Sequence, residues 1–315
     1  MKQFFLISLV VFCSLAKAET TAVQIALNWK PEPQFGGFYA MQVIGADQKE
    51  GLKTELLEGG SGTPTIQMLA NGKVDFAVVS SEEIIISNDR NPKNPVVAVY
   101  AVYQTNPQII MCHKSSGFKN LQEVFASNSV LAIQSGLTYA QYLKAKYPQS
   151  KLKFVPYLGG LTNYLSDPHF CQQGFATSEP LVAEKSGKPA QVYLVSEEGF
   201  NPYTTVLAVR AETLKTKSEL VTKVVRAVKA GWTSYLKDSK VADERMGALN
   251  KSMDADTFQK SAQAQKALIE KDNGQATVLG KMTPQRWEKL LTQLRDLKVI
   301  KNPDLKAESL FRNID

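Results

Sequence analysis

Four stretches of the chain combine glycine, hydroxyl and aromatic residues in the way a small-molecule site requires. They are Trp29-Lys30-Pro31-Glu32-Pro33-Gln34-Phe35-Gly36-Gly37, Gly59-Gly60-Ser61-Gly62-Thr63-Pro64, Ser135-Gly136-Leu137-Thr138-Tyr139 and Thr177-Ser178-Glu179-Pro180. Each follows a run that reads as a strand and opens a run that reads as a helix. Glycine lets backbone come close to a ligand, and a hydroxyl before a helix sits beside amides that have no partner of their own. Any one of these loops is explained by helix capping and tight turns. A shared cleft accounts for all four together, because ligands of open α/β sheets bind beyond the carboxyl ends of the strands.

The aromatic residues narrow the chemistry. Trp29, Phe35, Tyr39, Tyr103, Tyr139 and Tyr203 fall at or near predicted strand ends or crossings, where flat rings can hold a planar or cationic solute. Trp29 and Tyr39 suit a cleft and a core equally, whereas Phe38 lies on a different helix face and suits the core. Glu179 is the one charge in an otherwise uncharged stretch, 175–182, and can accept hydrogen bonds from amino or ring N–H groups; Glu82 is its weaker counterpart. A first-turn carboxylate favoured by the helix dipole is the structural alternative for Glu179. With Gly37, Ser61, Ser135 and Thr138 these residues make up the expected ligand-binding set. Lys30 is the only basic residue placed to reach such a cleft.

Catalytic and metal signatures are scarce. The two histidines, His113 and His169, have no metal-ligand spacing, and no nucleophile elbow, phosphate-cradling loop or dinucleotide fingerprint occurs. The expectation is binding without catalysis, metal or cofactor.

The elements that must position these loops alternate. Strands are predicted over 23–29, 54–57, 74–79, 96–103, 108–113, 129–134, 151–157, 171–177, 192–196 and 204–210, with helices between most of them, one running over 37–50. The class is α/β. Runs 96–103 and 108–113 are separated only by a short turn, which marks a crossing into a second lobe, and 204–210 marks the return. Lobe one is then 19–103 with 206–315, and lobe two 104–205. Over 218–237, 241–250, 255–271 and 283–297 the spacing is helical, so the C-terminal third reads as a helical covering. The 315 residues suffice for two cores.

The N-terminus reads as an export signal spanning residues 1–18: Lys2, an apolar run over 4–15, and Ala16-Lys17-Ala18 as a small-x-small cleavage site. That run is shorter than the ~20 residues a bilayer crossing needs. Cleavage before Glu19 removes Lys2 and Lys17 and lowers the net charge from +7 to +5. The lysines of 215–240 and 260–301 are spaced as solvated helix faces, which argues against a nucleic-acid surface. Two cysteines remain, Cys112 and Cys171, with no spacing signature to pair them.

Leu27-Asn28-Trp29, Gln34-Phe35-Gly36-Gly37-Phe38-Tyr39-Ala40 and Lys49-Glu50-Gly51-Leu52 resemble the opening of the thiamine-pyrimidine-precursor binding family. Gly59-Gly60-x-Gly, Asn71-Gly72-Lys73-Val74-Asp75-Phe76, Val102-Tyr103-Gln104-x-x-Pro107 and Gly174-x-x-Thr177-Ser178-Glu179-Pro180 also resemble that family and its sulfonate, nitrate and riboflavin-precursor relatives. The resemblance covers residues 27 to about 207. It implies a type II periplasmic binding fold, each lobe a mainly parallel sheet flanked by helices, that closes around one solute. It further implies a monomer that delivers its solute to the permease of an ABC importer, and gives ring-flanking roles to Trp29 and Tyr39 and an amino-group role to Glu179. Fungal relatives that synthesise the pyrimidine carry a cysteine-rich stretch and a histidine in the first lobe; residues 19–103 contain neither.

Overall fold

The computed structural model describes residues 20–60, 62–134, 136–272 and 274–315; the predicted export signal lies outside them. The first sheet grows from short apolar strands alternating with helices: β1 Thr21–Ala26, α1 Gly36–Val43, α2 Ala46–Lys49, β2 Leu52–Leu57, α3 Thr65–Ala70, β3 Phe76–Val79, α4 Ser81–Arg90 and β4 Val96–Tyr103. Every residue of β4, VVAVYAVY, is buried, as an uninterrupted apolar strand covered on both faces must be. The predicted helix over 37–50 is instead two helices, because Gly45 takes a left-handed φ of 64° that ends α1 and starts α2.

The second sheet follows with β5 Gln108–His113, α5 Leu121–Ala126, β6 Val130–Ala132, α6 Thr138–Lys146, β7 Lys153–Val155, α7 Thr162–Ser166, β8 Phe170–Phe175, α8 Glu179–Lys185 and β9 Ala190–Leu194. The chain then returns through β10 Thr204–Arg210 and ends in α9 Ala211–Thr216, α10 Ser218–Lys237, α11 Lys240–Leu249, α12 Ala255–Glu270, the hairpin β11 Lys271–Asp272 and β12 Gln275–Ala276, and α13 Pro284–Asp296. Among the described residues no helix is long and apolar enough to cross a membrane.

The two sheets have the same plan. Strand order is β2-β1-β3-β10-β4 in one and β7-β6-β8-β5-β9 in the other. In each, three parallel strands are followed by one antiparallel strand, and that strand is the one arriving from the other lobe: β10 against β3 and β4, β5 against β8 and β9. Both crossings therefore enter their sheet next to its central strand, between the loops that carry the predicted site. One step beyond the Met111–Gln172 pair of β5 and β8, Cys112 and Cys171 form a disulfide with Cα atoms 4.3 Å apart. Their pairing depends on strand register across 59 positions of sequence, which spacing alone does not reveal.

Helix α1 lies on α10 with very close backbones. A Cβ on Gly37 would come within 2.2 Å of the Trp232 ring, and one on Gly231 within 2.1 Å of the Gly37 carbonyl. The Gly36-Gly37 pair is thus required by helix packing, and this contact also sets which way α1 presents Tyr39.

Candidate functional site

Between the sheets lies a cavity of about 210 Å³, below the ~300–1,000 Å³ of sites for drug-sized ligands. The loop after β1 contributes Asn28, Trp29, Glu32, Gln34 and Phe35; the crossings contribute Gln108, Thr204 and Thr205. From the second sheet come Gln134, Leu137 and Tyr139 after β6, Tyr157 after β7, and Gln173, Phe175, Ser178 and Glu179 from the end of β8 and the start of α8. Five of these are aromatic, four are glutamines and two are carboxylates. No described lining residue is lysine, arginine or histidine.

The two carboxylates are held differently. Glu179 accepts from the Tyr157 hydroxyl at 3.1 Å and the Phe175 amide at 2.8 Å, and Ser178 Oγ also donates to it. Gly174 makes this fold-back possible, since a Cβ there would sit 3.1 Å from Glu179 Oε2. Glu32 accepts from Trp29 Nε1 at 3.2 Å on one oxygen and Gln34 Nε2 at 3.1 Å on the other. Burial pushes the Glu32 carboxyl up to about 7; the Glu179 charge adds to this, while the two hydrogen bonds and Lys30 oppose it. The Tyr139 and Tyr157 phenols are raised far above their ordinary range, first by burial and then by the nearby carboxylates, and remain neutral donors.

The two crossings beneath the cavity are tightly bonded to each other. Asn106 N donates to Asn201 Oδ1 at 2.8 Å, and Thr204 Oγ1 to Asn106 Oδ1 at 3.1 Å, joining the two crossings. From α13, Arg286 Nε donates to Asn201 O at 2.6 Å, Nη2 to Pro202 O at 2.9 Å and Nη1 to Gln104 O. The guanidinium lies 4.0 Å from the Tyr203 ring centroid and 3.6 Å from the Asp272 carboxylate. Thr205, facing the cavity, has φ 55°, a strained value for a β-branched residue, at the point where the chain enters β10. At the outer rim Lys185 of α8 pairs with Asp254, the N-cap of α12.

Of the predicted ligand-facing residues, Trp29, Phe35, Tyr139 and Glu179 line the cavity. Five others do not, each for a packing reason. Gly37 serves the α1–α10 contact. Tyr39 is 2% exposed in the core under α10 and borders a separate depression with Gln42, Thr54 and Arg245, because α1 turns it away from the cleft. Tyr103 is fully buried, its hydroxyl bonded to Gln265 Oε1 at 2.7 Å. Tyr203 carries Arg286 on its face and accepts from the Thr283 amide at 2.9 Å. Thr138 is buried in the first turn of α6, while its neighbours Leu137, the extended N-cap, and Tyr139 face the cavity. Ser61 and Ser135 lie outside the described residues.

The described residues of the Gly59 loop are likewise outside the lining; a Cβ on Gly59 would meet the Leu27 carbonyl at 2.1 Å, so its glycine serves loop packing. Lys30 is exposed and Glu82 is buried at the start of α4, both outside the lining. His113 stacks on Tyr164 with Nε2 2.6 Å from its carbonyl, and His169 is exposed. Sequence reasoning missed Glu32, Tyr157 and the glutamines. Of these only Glu32 and Gln34 carried a signal, as polar side chains inside a loop already singled out.

The model of the family described as NMT1/THI5 like matches residues 32–242, two thirds of the chain. The chain belongs to the NMT1/THI5-like family. No curated protein sequence matches this NMT1/THI5-like protein significantly. Among solved structures it is similar to the alkanesulfonate-binding protein SsuA of Xanthomonas axonopodis pv. citri bound to MOPS, with TM-score 0.66 and 10% identity over 94% of this chain and 99% of that one. The periplasmic nitrate-binding protein NrtA of Synechocystis PCC 6803 superimposes with TM-score 0.63 and 13% identity over 93% and 86% of the two chains. The Candida albicans CA3427 gene product, described as having the generic periplasmic binding protein fold, gives 0.64 and 14% over 93% and 97%. At these identities the likeness concerns the fold: a two-lobed, type II periplasmic solute-binding architecture.

Proposed function

We propose that this protein captures a small solute between its lobes in the bacterial periplasm, without chemical conversion, and delivers it to the membrane permease of an ABC importer. Family membership, the type II fold and the interlobe cavity support capture. Export rests on the residue 1–18 signal, and the permease on the kind of protein that shares this fold.

The preferred solute is a small, flat aromatic nitrogen heterocycle, neutral or cationic, of the thiamine-pyrimidine or flavin-precursor type. The observation that carries this choice is the lining itself: five aromatic rings, amides and two carboxylates, with no described cation. Rings stack on such a wall and amino groups find acceptors in Glu32 and Glu179. Trp29, Phe35, Tyr139 and Glu179 are the residues assigned to contact it, and Thr205 and the Asn106–Asn201 bond mark the hinge about which lobes 19–103 with 206–315 and 104–205 close.

A sulfonate or related oxyanion is the second reading, favoured by the sulfonate- and nitrate-binding proteins that share the fold. Mass spectrometry of solute retained through purification, followed by titration of aminopyrimidines, flavins and sulfonates against tryptophan fluorescence, separates the two. Trp29 in the cavity wall is the reporter. Aminopyrimidines or flavins are expected to bind; tight sulfonate binding with no response to nitrogen rings would overturn the preferred solute.

A further inference from the structure

Glu32 stands out among the polar groups of the cavity. Its two oxygens meet only neutral donors, the indole of Trp29 and the amide of Gln34. No ion pair reaches it among the described residues, and the other charge in the same cavity is the like charge of Glu179 from the opposite lobe. The ionisable groups facing it from neighbouring elements are Lys30 on its own loop, Tyr103 at the end of β4, Tyr157 after β7 and Glu179 at the start of α8; α12 presents only the neutral amide of Gln265, bonded to Pro33 O at 3.0 Å. Both phenols are neutral and Lys30 is exposed, so among the described residues the site holds two acids and no matching buried base.

We infer that Glu32 and Glu179, one carboxylate from each lobe, select the charge of the solute, and that Glu32 gives up a proton when a cation enters. Two half-buried carboxylates in one small cavity resist being ionised together. In the cleft without solute the Glu32 carboxyl, raised by burial and by Glu179 across the cavity, holds its proton more tightly than a free carboxylate does. A cationic ring between them supplies the missing counter-ion; the Glu32 O–H bond breaks, the electron pair stays on the carboxylate and the proton leaves to solvent. The position of Glu32 near neutrality, about 7, makes this step measurable at ordinary pH. This rests on the reading of the cleft as a solute site and adds the mechanism by which it selects charge.

Calorimetry with three defined probes tests it: the permanent cation 1-methyl-4-aminopyridinium, its neutral analogue 4-methylaniline and the anion benzenesulfonate, between about pH 5.5 and 8.5, on the native chain and Glu32→Gln. Cation affinity is expected to rise by about tenfold per pH unit up to about pH 7 and then level, with close to one proton released per cation bound near pH 6. Glu32→Gln keeps an acceptor for Trp29 and is expected to flatten both. In ligand-free protein, Trp29 fluorescence is expected to titrate near pH 7 and to lose that transition in Glu32→Gln. A loop-bracing role alone would leave the pH profile unmoved.

Cation binding with a flat profile, an unchanged slope in Glu32→Gln, or no proton release would overturn the role of Glu32 and leave the nitrogen-ring reading standing. Binding of benzenesulfonate with no cation binding at any pH would overturn both. Should no probe bind, the ligand-free fluorescence titration decides, since absence of the transition near pH 7 removes the proton on which the inference depends.

Discussion

The hinge and the cleft of this molecule lie a few residues apart and are built on opposite principles. At the hinge, Arg286 spends its donors on carbonyls of both crossings, Asn106 and Asn201 bond each other's strand, and Tyr203 covers the guanidinium face. The polar groups there are satisfied from within the chain. In the cleft, Glu32 and the glutamines have capacity left over, and the charge of the two carboxylates is unbalanced. A buried polar group without a full set of partners weakens a fold, and a site that must receive a solute has to leave some unmet. The difference shows where this protein is held together and where it is kept ready.

The largest expected effect tests the hinge side. Arg286→Ala leaves the carbonyls of Gln104, Asn201 and Pro202 without their donor, and should cost about 2–4 kcal/mol in urea unfolding. Arg286→Lys should recover only part of it, because one ammonium cannot reproduce the fork and the stack. A loss below ~1 kcal/mol would show that the hinge is not saturated by this residue.

A smaller effect concerns a carboxylate outside the cleft lining that is also left incompletely paired. Glu82, buried in the first turn of α4 with Oε2 unpartnered, is pushed up to about 7 by burial. A carboxyl raised above its unfolded value holds its proton more tightly in the folded chain. Stability is therefore full below about pH 4.5, falls as pH rises and levels above about 7. The Glu82 contribution is up to about 3 kcal/mol and should vanish from the pH profile of the melting temperature in Glu82→Gln. A profile that rises between pH 5 and 7 would contradict this sign.

The smallest effect concerns the rim. The Lys185–Asp254 pair joins α8 to α12, but both side chains are about half exposed. Lys185→Ala is expected to leave the urea midpoint unchanged within error, as exposed pairs generally do. A clear loss would mean that rigidity attributed to the hinge is shared with the rim.

Much of the scaffold is legible locally. Residues 96–103, 108–113, 204–210 and 218–237 form β4, β5, β10 and α10 with the bounds that periodicity predicts, because an uninterrupted apolar run or a sustained helical stripe leaves little choice. Boundaries fail where a single backbone angle decides, as at Gly45. In the site, Trp29, Phe35, Tyr139 and Glu179 were visible as conspicuous side chains in strand-end loops. Tyr39 and Tyr203 looked equivalent to them and are packed away, since an aromatic beside a strand end is stabilised as well by a core as by a cleft. Tyr157, Gln108, Gln134 and Gln173 had no pattern to announce them, and Glu32 had only its place in a loop already singled out.

By itself the amino-acid sequence determined the alternation of strands and helices, the two crossings and the strand-end loops around a cleft, all of which follow from hydrophobic period and turn chemistry over a few residues. Tertiary structure alone decided which side chains meet. The cross-strand disulfide, the Arg286 clamp on two distant crossings and the shared cavity of Glu32 and Glu179 bring together positions 59 to 182 residues apart. Such contacts are set by strand register and helix packing, whose energies belong to no local segment of the chain.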